Sequence, residues 1–209
     1  MCQFVETICI QDGKARNLRY HIDRMNRTIR QFFPHLPSVS EADLLPQIPQ
    51  ESGLQKARVV YSAEGITERT FAPYTLRNIQ SIALVEDNTI DYRWKSTDRT
   101  PLTRQREKAP QADEVIIIKD GCVTDTSYTN LCFYDGREWV TPDTPLLPGT
   151  MRQYLLDQGL INPRRILITD LPNYQKVSLI NAMMELGDLC LDVSAVRIIQ
   201  NGKNFQTVC

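Results

Sequence analysis

Between Asp120 and Leu156 the chain reads DGCVTDTSYTNLCFYDGREWVTPDTPLLPGTMRQYLL, and this stretch limits what the rest can fold into. It predicts a strand, a turn, a second strand, a loop, and a helix that starts abruptly after PLLPGT. Asp125 follows the tight Asp120-Gly121 turn on a β-branched strand, which holds its carboxylate rigidly. Gly149-Thr150-Met151-Arg152 opens the helix, and exposed N–H groups at a helix start form an anion site. A fixed carboxylate and a phosphate cradle, one supersecondary unit apart, point to a bound phosphorylated cofactor with a basic nitrogen.

The 209 residues suffice for one large domain or two compact ones. At 42% hydrophobic and 23% charged, the composition is that of a soluble globular protein. A net charge of −1 implies no surface for nucleic acid. No apolar run is long enough to span a bilayer, and residues 1–20 lack the layout of a secretion signal. Cys2, Cys9, Cys122, Cys132, Cys190 and Cys209 are widely spread with no C-x-x-C, so a reducing cytoplasm with no disulfide framework is expected. With only His21 and His35, and no ligand spacing among His and Cys, no metal site is expected.

Taken in order, residues 3–10 alternate as a strand that turns at Asp12-Gly13. Leu18 to Phe33 carries apolar residues at helical spacing until Pro34. Ser38-x-x-Glu41 resembles a capping box opening a helix through Leu45. Further strands are expected at Lys56–Ser62, Thr67–Tyr74, Ile79–Val85, Glu114–Ile118, Arg165–Thr169, Lys176–Asn181, Leu189–Val193 and Ala195–Ile199, with a hairpin turn at Asn201-Gly202. Strands dominate and helices are few, which makes this an α+β protein. The polar EDNT connection at 86–89 is the expected boundary between a small N-terminal α/β domain (1–88) and a larger β-rich domain (89–209) carrying most of the cofactor pocket.

Lys95 ends a short, partly apolar run at that boundary. It reads either as a solvated lysine at a strand end or as a desolvated amine able to form a Schiff base. Arg24 shares a helix face with His21, and a guanidinium suits bidentate phosphate binding. Asp125 taken alone reads first as a turn or strand-edge carboxylate. Together these residues supply an amine, an acid for a ring nitrogen and two phosphate-binding elements.

Five segments in order resemble the class IV aminotransferases, pyridoxal-phosphate enzymes of fold type IV. They are H-x-x-R-M at 21–25, K-x-x-D-R at 95–99, DEVIIIKDGCVTDTSYTNLCF at 113–133, TPDTPLLPGTMRQ at 141–153 and INAMM at 180–184. The resemblance implies the two-domain, D-amino-acid-aminotransferase-like architecture, with pyridoxal 5'-phosphate bound between domains near a homodimer interface. It implies that Lys95 carries the cofactor and shuttles protons, and that Asp125 bonds the pyridine nitrogen. By the same resemblance Arg24, the N–H groups of Thr150 and Met151, and those of Ala182 and Met183 hold the phosphate, while Asn130 has a structural role. The family has Glu where this chain has Asp125, one methylene shorter, and its usual N-terminal strand pair is missing before Gln3.

Within the family, G-T-M-R-Q at 149–153, I-N-A-M-M at 180–184 and K-x-x-D-R resemble the aminodeoxychorismate lyases most. That implies release of pyruvate from 4-amino-4-deoxychorismate to give 4-aminobenzoate for folate synthesis, with Arg99 and Arg58 as candidates for the substrate carboxylates. An aminodeoxychorismate synthase is the implied enzymatic partner. Two alternatives stand beside it: a transaminase of branched-chain or D-amino acids, and a cofactor-free structural or regulatory relative.

Overall fold

Alternating apolar residues from Phe4 to Gln11 form β1, and Asp12-Gly13, at φ 47° and 73°, returns the chain as β2 (Lys14–Ala15). Two successive positive-φ residues are what a tight hairpin turn requires. α1 (Leu18–Phe32) follows, and its buried residues His21, Arg24, Met25, Thr28 and Ile29 recur at helical spacing to make one inward stripe. After α2 (Glu41–Leu44), β3 (Leu54–Ser62) and β4 (Gly65–Pro73) complete an antiparallel sheet of order β2-β1-β3-β4. Its core joins Phe4, Ile8 and Ile10 of β1 to Met25 and Ile29 of α1 and to Val59 and Tyr61 of β3.

This computed structural model describes residues 2–200 and 204–207 and divides into two units. Residues up to Leu76 together with Trp94–Asp98 form the first; Arg77–Arg93 and the described residues from Arg99 onward form the second.

The second unit starts with β5 (Ile82–Glu86), α3 (Thr100–Glu107) and β6 (Glu114–Lys119), in which β5 and β6 pair in parallel. The chain continues through β7 (Cys122–Thr126), β8 (Asn130–Tyr134), β9 (Trp139–Pro142), α4 (Thr150–Asp157) and β10 (Asn162–Arg164). It ends with β11 (Lys176–Ile180), β12 (Cys190–Asp192), β13 (Val196–Gln200) and β14 (Asn204–Thr207). Two five-stranded sheets result, of order β14-β13-β5-β6-β7 and β10-β9-β8-β11-β12. β6 is an interior strand, buried from Glu114 to Ile118, as its unbroken apolar run requires. Leu102 of α3 packs with Ala83, Val85, Val115 and Ile117, and Met151 and Leu155 of α4 pack with Cys132 and Ile180.

The mixed α+β, two-part organisation agrees with expectation, while four local expectations are corrected. The capping box is Ser40/Asp43 rather than Ser38/Glu41: Asp43 N–H donates to Ser40 Oγ (3.3 Å) and Ser40 N–H to Asp43 Oδ2 (2.9 Å). α3 lies in a stretch read as polar connection, because only Leu102 and Gln105 of its residues are buried. The strand expected at Arg165–Thr169 is a brief bridge of Leu167 to Cys122, cut short when Asp170 accepts from Leu167 N–H (2.8 Å) and a 3-10 turn begins. The expected boundary at 88 falls instead after Leu76, since β5 is laddered to β6. Trp94–Asp98 returns to the first unit because Val5 N–H donates to Lys95 O (2.9 Å) and Thr97 N–H to Gln3 O (3.0 Å). The Asn201-Gly202 turn lies outside the described residues.

Met25 has no exposed surface and sits where α1 meets the first sheet. Met25→Ala should therefore cost about 2–5 kcal/mol of stability, read as a lower urea midpoint at unchanged slope. A midpoint within error of wild type would contradict this packing.

Candidate active site

In the first unit the strand alternation that turns Phe4, Ile8 and Ile10 inward also turns Glu6 inward, where it is fully buried. α1 presents His21 and Arg24 three residues apart on its inward stripe, and both converge on that carboxylate. Arg24 donates from Nε to Glu6 Oε1 (2.9 Å) and from Nη2 to Oε2 (2.6 Å), and His21 Nδ1 lies 2.6 Å from Oε2. Burial alone would push the Glu6 carboxyl up, but Arg24 and His21 outweigh it and hold it at about 2. His21 is pushed down by burial, with Arg24 and Lys95 adding to that effect against Glu6, so it is neutral at pH 7 and donates from Nδ1. Lys95, half-buried, belongs to this cluster through its backbone bond to Val5 and its electrostatic reach to His21.

In the second unit Asp125 is buried on β7, and each of its oxygens accepts from a neutral donor. Asn130 Nδ2 donates to Oδ1 (2.7 Å) and Leu147 N–H to Oδ2 (2.9 Å). Asn130 Nδ2 also donates to Leu147 O (2.8 Å), so one side chain joins β8, Asp125 and the loop before α4. Gly149 caps α4 against this amide, and a Cβ there would collide with Asn130 Oδ1. The first intrahelical bond runs from Gln153 N–H to Gly149 O (3.0 Å), so the Thr150 and Met151 N–H groups point out along the helix start. Arg152 anchors that start, donating to Thr141 Oγ1 (3.2 Å) and Pro142 O (2.9 Å).

Burial raises Asp125 to about 6, against the opposing Leu147 and Asn130 bonds and the charge of Arg152. The second expected phosphate pair sits in a turn from Asn181 to Met184. There Asn181 Oδ1 already accepts from Met183 N–H (2.8 Å), which leaves the Ala182 N–H outside that bond. Arg99 donates to Ser127 O (2.8 Å), whereas Arg58 pairs with the exposed Glu68 (3.0 Å) on the edge of the first sheet. No group of His, Cys, Asp and Glu among the described residues could hold a metal.

The structure thus gathers Arg24 and Lys95 in one unit, and Asp125, Thr150, Met151, Ala182 and Met183 in the other. Glu6 was missed by sequence reasoning. Its one signal is that it shares strand parity with Phe4, Ile8 and Ile10, a charged residue on an apolar face.

The two buried carboxylates respond to pH with opposite signs. Asp125, raised from 3.8 to about 6, keeps a proton in the folded chain that the unfolded chain has lost, so its contribution to stability falls as pH rises through that window. Glu6, lowered from 4.5 to about 2, contributes stability present above about pH 4.5 and lost as pH falls toward 2. Asp125→Ala should change the slope of melting temperature against pH between about 4 and 6 and leave the acid limb unaltered. Parallel curves for variant and wild type would contradict a raised Asp125.

The family model for class IV aminotransferases matches residues 3–189. An uncharacterised protein of Haemophilus influenzae is 35% identical over 187 residues, covering 88% of this chain and 98% of the relative. A solved structure from Haemophilus somnus, provisionally named a 4-amino-4-deoxychorismate lyase, is 34% identical with a TM-score of 0.80, covering 89% of this chain and 98% of that one. A hypothetical aminotransferase from Mycobacterium tuberculosis, solved in a PLP-bound form, shares the fold at 18% identity, with a TM-score of 0.74 and coverage of 98% of this chain and 83% of that one. With a family match over most of its length and a fold shared along nearly the whole of it, this chain belongs to the class IV aminotransferase family.

Proposed function

We propose that this chain is a pyridoxal 5'-phosphate enzyme that releases pyruvate from 4-amino-4-deoxychorismate and forms 4-aminobenzoate. The observation that carries the choice of reaction is the 34% identity, over 98% of its length, to the Haemophilus somnus structure provisionally named for that lyase. The site residues fit the cofactor. Asp125 is a buried carboxylate held by neutral donors, which suits a protonated ring nitrogen, and Gly149 opens a helix whose first N–H groups suit a phosphate.

When bound, the cofactor supplies an electron sink for charge that develops on the substrate. In this reading the Lys95 amine would hold the cofactor and, when free, would take the substrate's ring proton as the bond from the ring to the pyruvyl oxygen breaks, the electron pair leaving with that oxygen. Arg24, with the Thr150 and Met151 N–H groups and the Ala182 N–H, holds the phosphate. Asp125 keeps the ring nitrogen protonated, and its pairing with that cation would draw its own pKa back down. Asn130 keeps the Asp125 carboxylate in one orientation through its 2.7 Å bond. Arg99 is the candidate for a substrate carboxylate. A homodimer acting in the cytoplasm, fed by an aminodeoxychorismate synthase, completes the proposal.

Purified protein supplied with pyridoxal phosphate and aminodeoxychorismate should release pyruvate and 4-aminobenzoate with no keto acid present. Amino transfer to 2-oxoglutarate in place of that release would move the reading to a transaminase, and failure to take up the cofactor would move it to a cofactor-free relative. Lys95→Ala should abolish turnover. Arg24→Ala should weaken cofactor retention and also lower stability by about 3–5 kcal/mol, because it leaves a buried carboxylate without its partner. A variant that retains both properties would remove Arg24 from the site.

A further inference from the structure

Glu6 sits at the centre of the first cluster, although the proposed reaction has no use for a carboxylate there. Its neighbours on the inward face of β1 are Phe4, Ile8 and Ile10, and an apolar side chain would fill that place without the desolvation of a charge. What the carboxylate does is hold Arg24. The two bonds from Nε and Nη2 form a fork on one edge of the guanidinium and fix its plane. That fork uses two of the guanidinium's five N–H donors. The 2.6 Å contact from His21 Nδ1 to the same Oε2 keeps the carboxylate itself from turning.

We propose that Glu6 is a positioning residue for phosphate recognition, fixing the plane of the Arg24 guanidinium so that Arg24 meets the cofactor phosphate in one orientation. The assignment rests on the reading of Arg24 as a phosphate ligand. Glu6 acts through Arg24 and touches no reacting atom. The charged and titratable groups around it are Arg24 and His21 from α1, Tyr61 from β3, and Lys95, which acts on His21. The carboxylate stays ionised throughout the neutral range, so its hold on Arg24 does not vary there.

The test compares two probes, pyridoxal 5'-phosphate and pyridoxal, which share the aldehyde and ring and differ in the phosphate. Dissociation constants are measured by absorbance for wild type, Glu6→Gln and Glu6→Asp. Glu6→Gln keeps the length but sets an amide NH2 where Arg24 or His21 needs an acceptor. It should weaken pyridoxal 5'-phosphate by about 10- to 100-fold, the range for loss of a supporting group behind a ligand-holding side chain, and leave pyridoxal nearly unchanged. Glu6→Asp keeps the charge, shifts the fork by one methylene, and should give a smaller loss with the same selectivity for the phosphate form. Equal weakening of both probes would assign Glu6 to general stability and overturn the proposal. If Glu6→Gln does not fold, Glu6→Asp decides alone, and an unselective or absent effect overturns the proposal. Wild-type protein that binds neither probe would overturn the functional reading and this assignment together.

Discussion

One amide holds the second unit's part of the site together. Asn130 reaches Asp125 Oδ1 at 2.7 Å and Leu147 O at 2.8 Å, so β7, β8 and the approach to α4 cannot move independently. Gly149 has no room for a side chain beside Asn130, and the helix begins at the next residue. The carboxylate and the helix start, 25 positions apart in sequence from Asp125 to Thr150, are therefore set by a single side chain. Arg152 secures the other end of this arrangement by bonding to β9 through Thr141 and Pro142.

The two units treat buried acids in contrasting ways. Glu6 is surrounded by cationic and hydrogen-bonding partners that more than offset its burial and hold it at about 2. Asp125 accepts its hydrogen bonds from neutral donors, the Arg152 charge offsets burial only in part, and it sits at about 6, so its ionised form is costly. A structural ion pair explains the first. The second suits a carboxylate that would meet a positive group on a ligand, which accords with the role proposed for Asp125 at a ring nitrogen.

Features that follow from local periodicity were legible in the sequence. The α1 stripe could be read because Met25 and Ile29 recur at helical spacing, and the hairpins because Asp12-Gly13 and Asp120-Gly121 supply consecutive positive-φ residues. What escaped depends on side-chain contacts or on long-range pairing. α3 buries too little to leave a pattern. The unit boundary lies elsewhere because β5 pairs with a strand 32 residues on, from Ile82 to Glu114 in register. Glu6 shares strand parity with Phe4, Ile8 and Ile10, but its partners Arg24 and His21 come from the packing of α1 on β1, which local periodicity does not announce. Engagement of Met183 N–H by Asn181 Oδ1 is a local side-chain bond that no motif announces.

The central claim is that Lys95 is the amine that carries pyridoxal phosphate. Borohydride reduction of the cofactor-loaded protein, followed by peptide mapping with mass spectrometry, tests it most directly. The account predicts a reduced pyridoxyl group on Lys95 alone. Attachment at another lysine, or no attachment to protein saturated with cofactor, would contradict it.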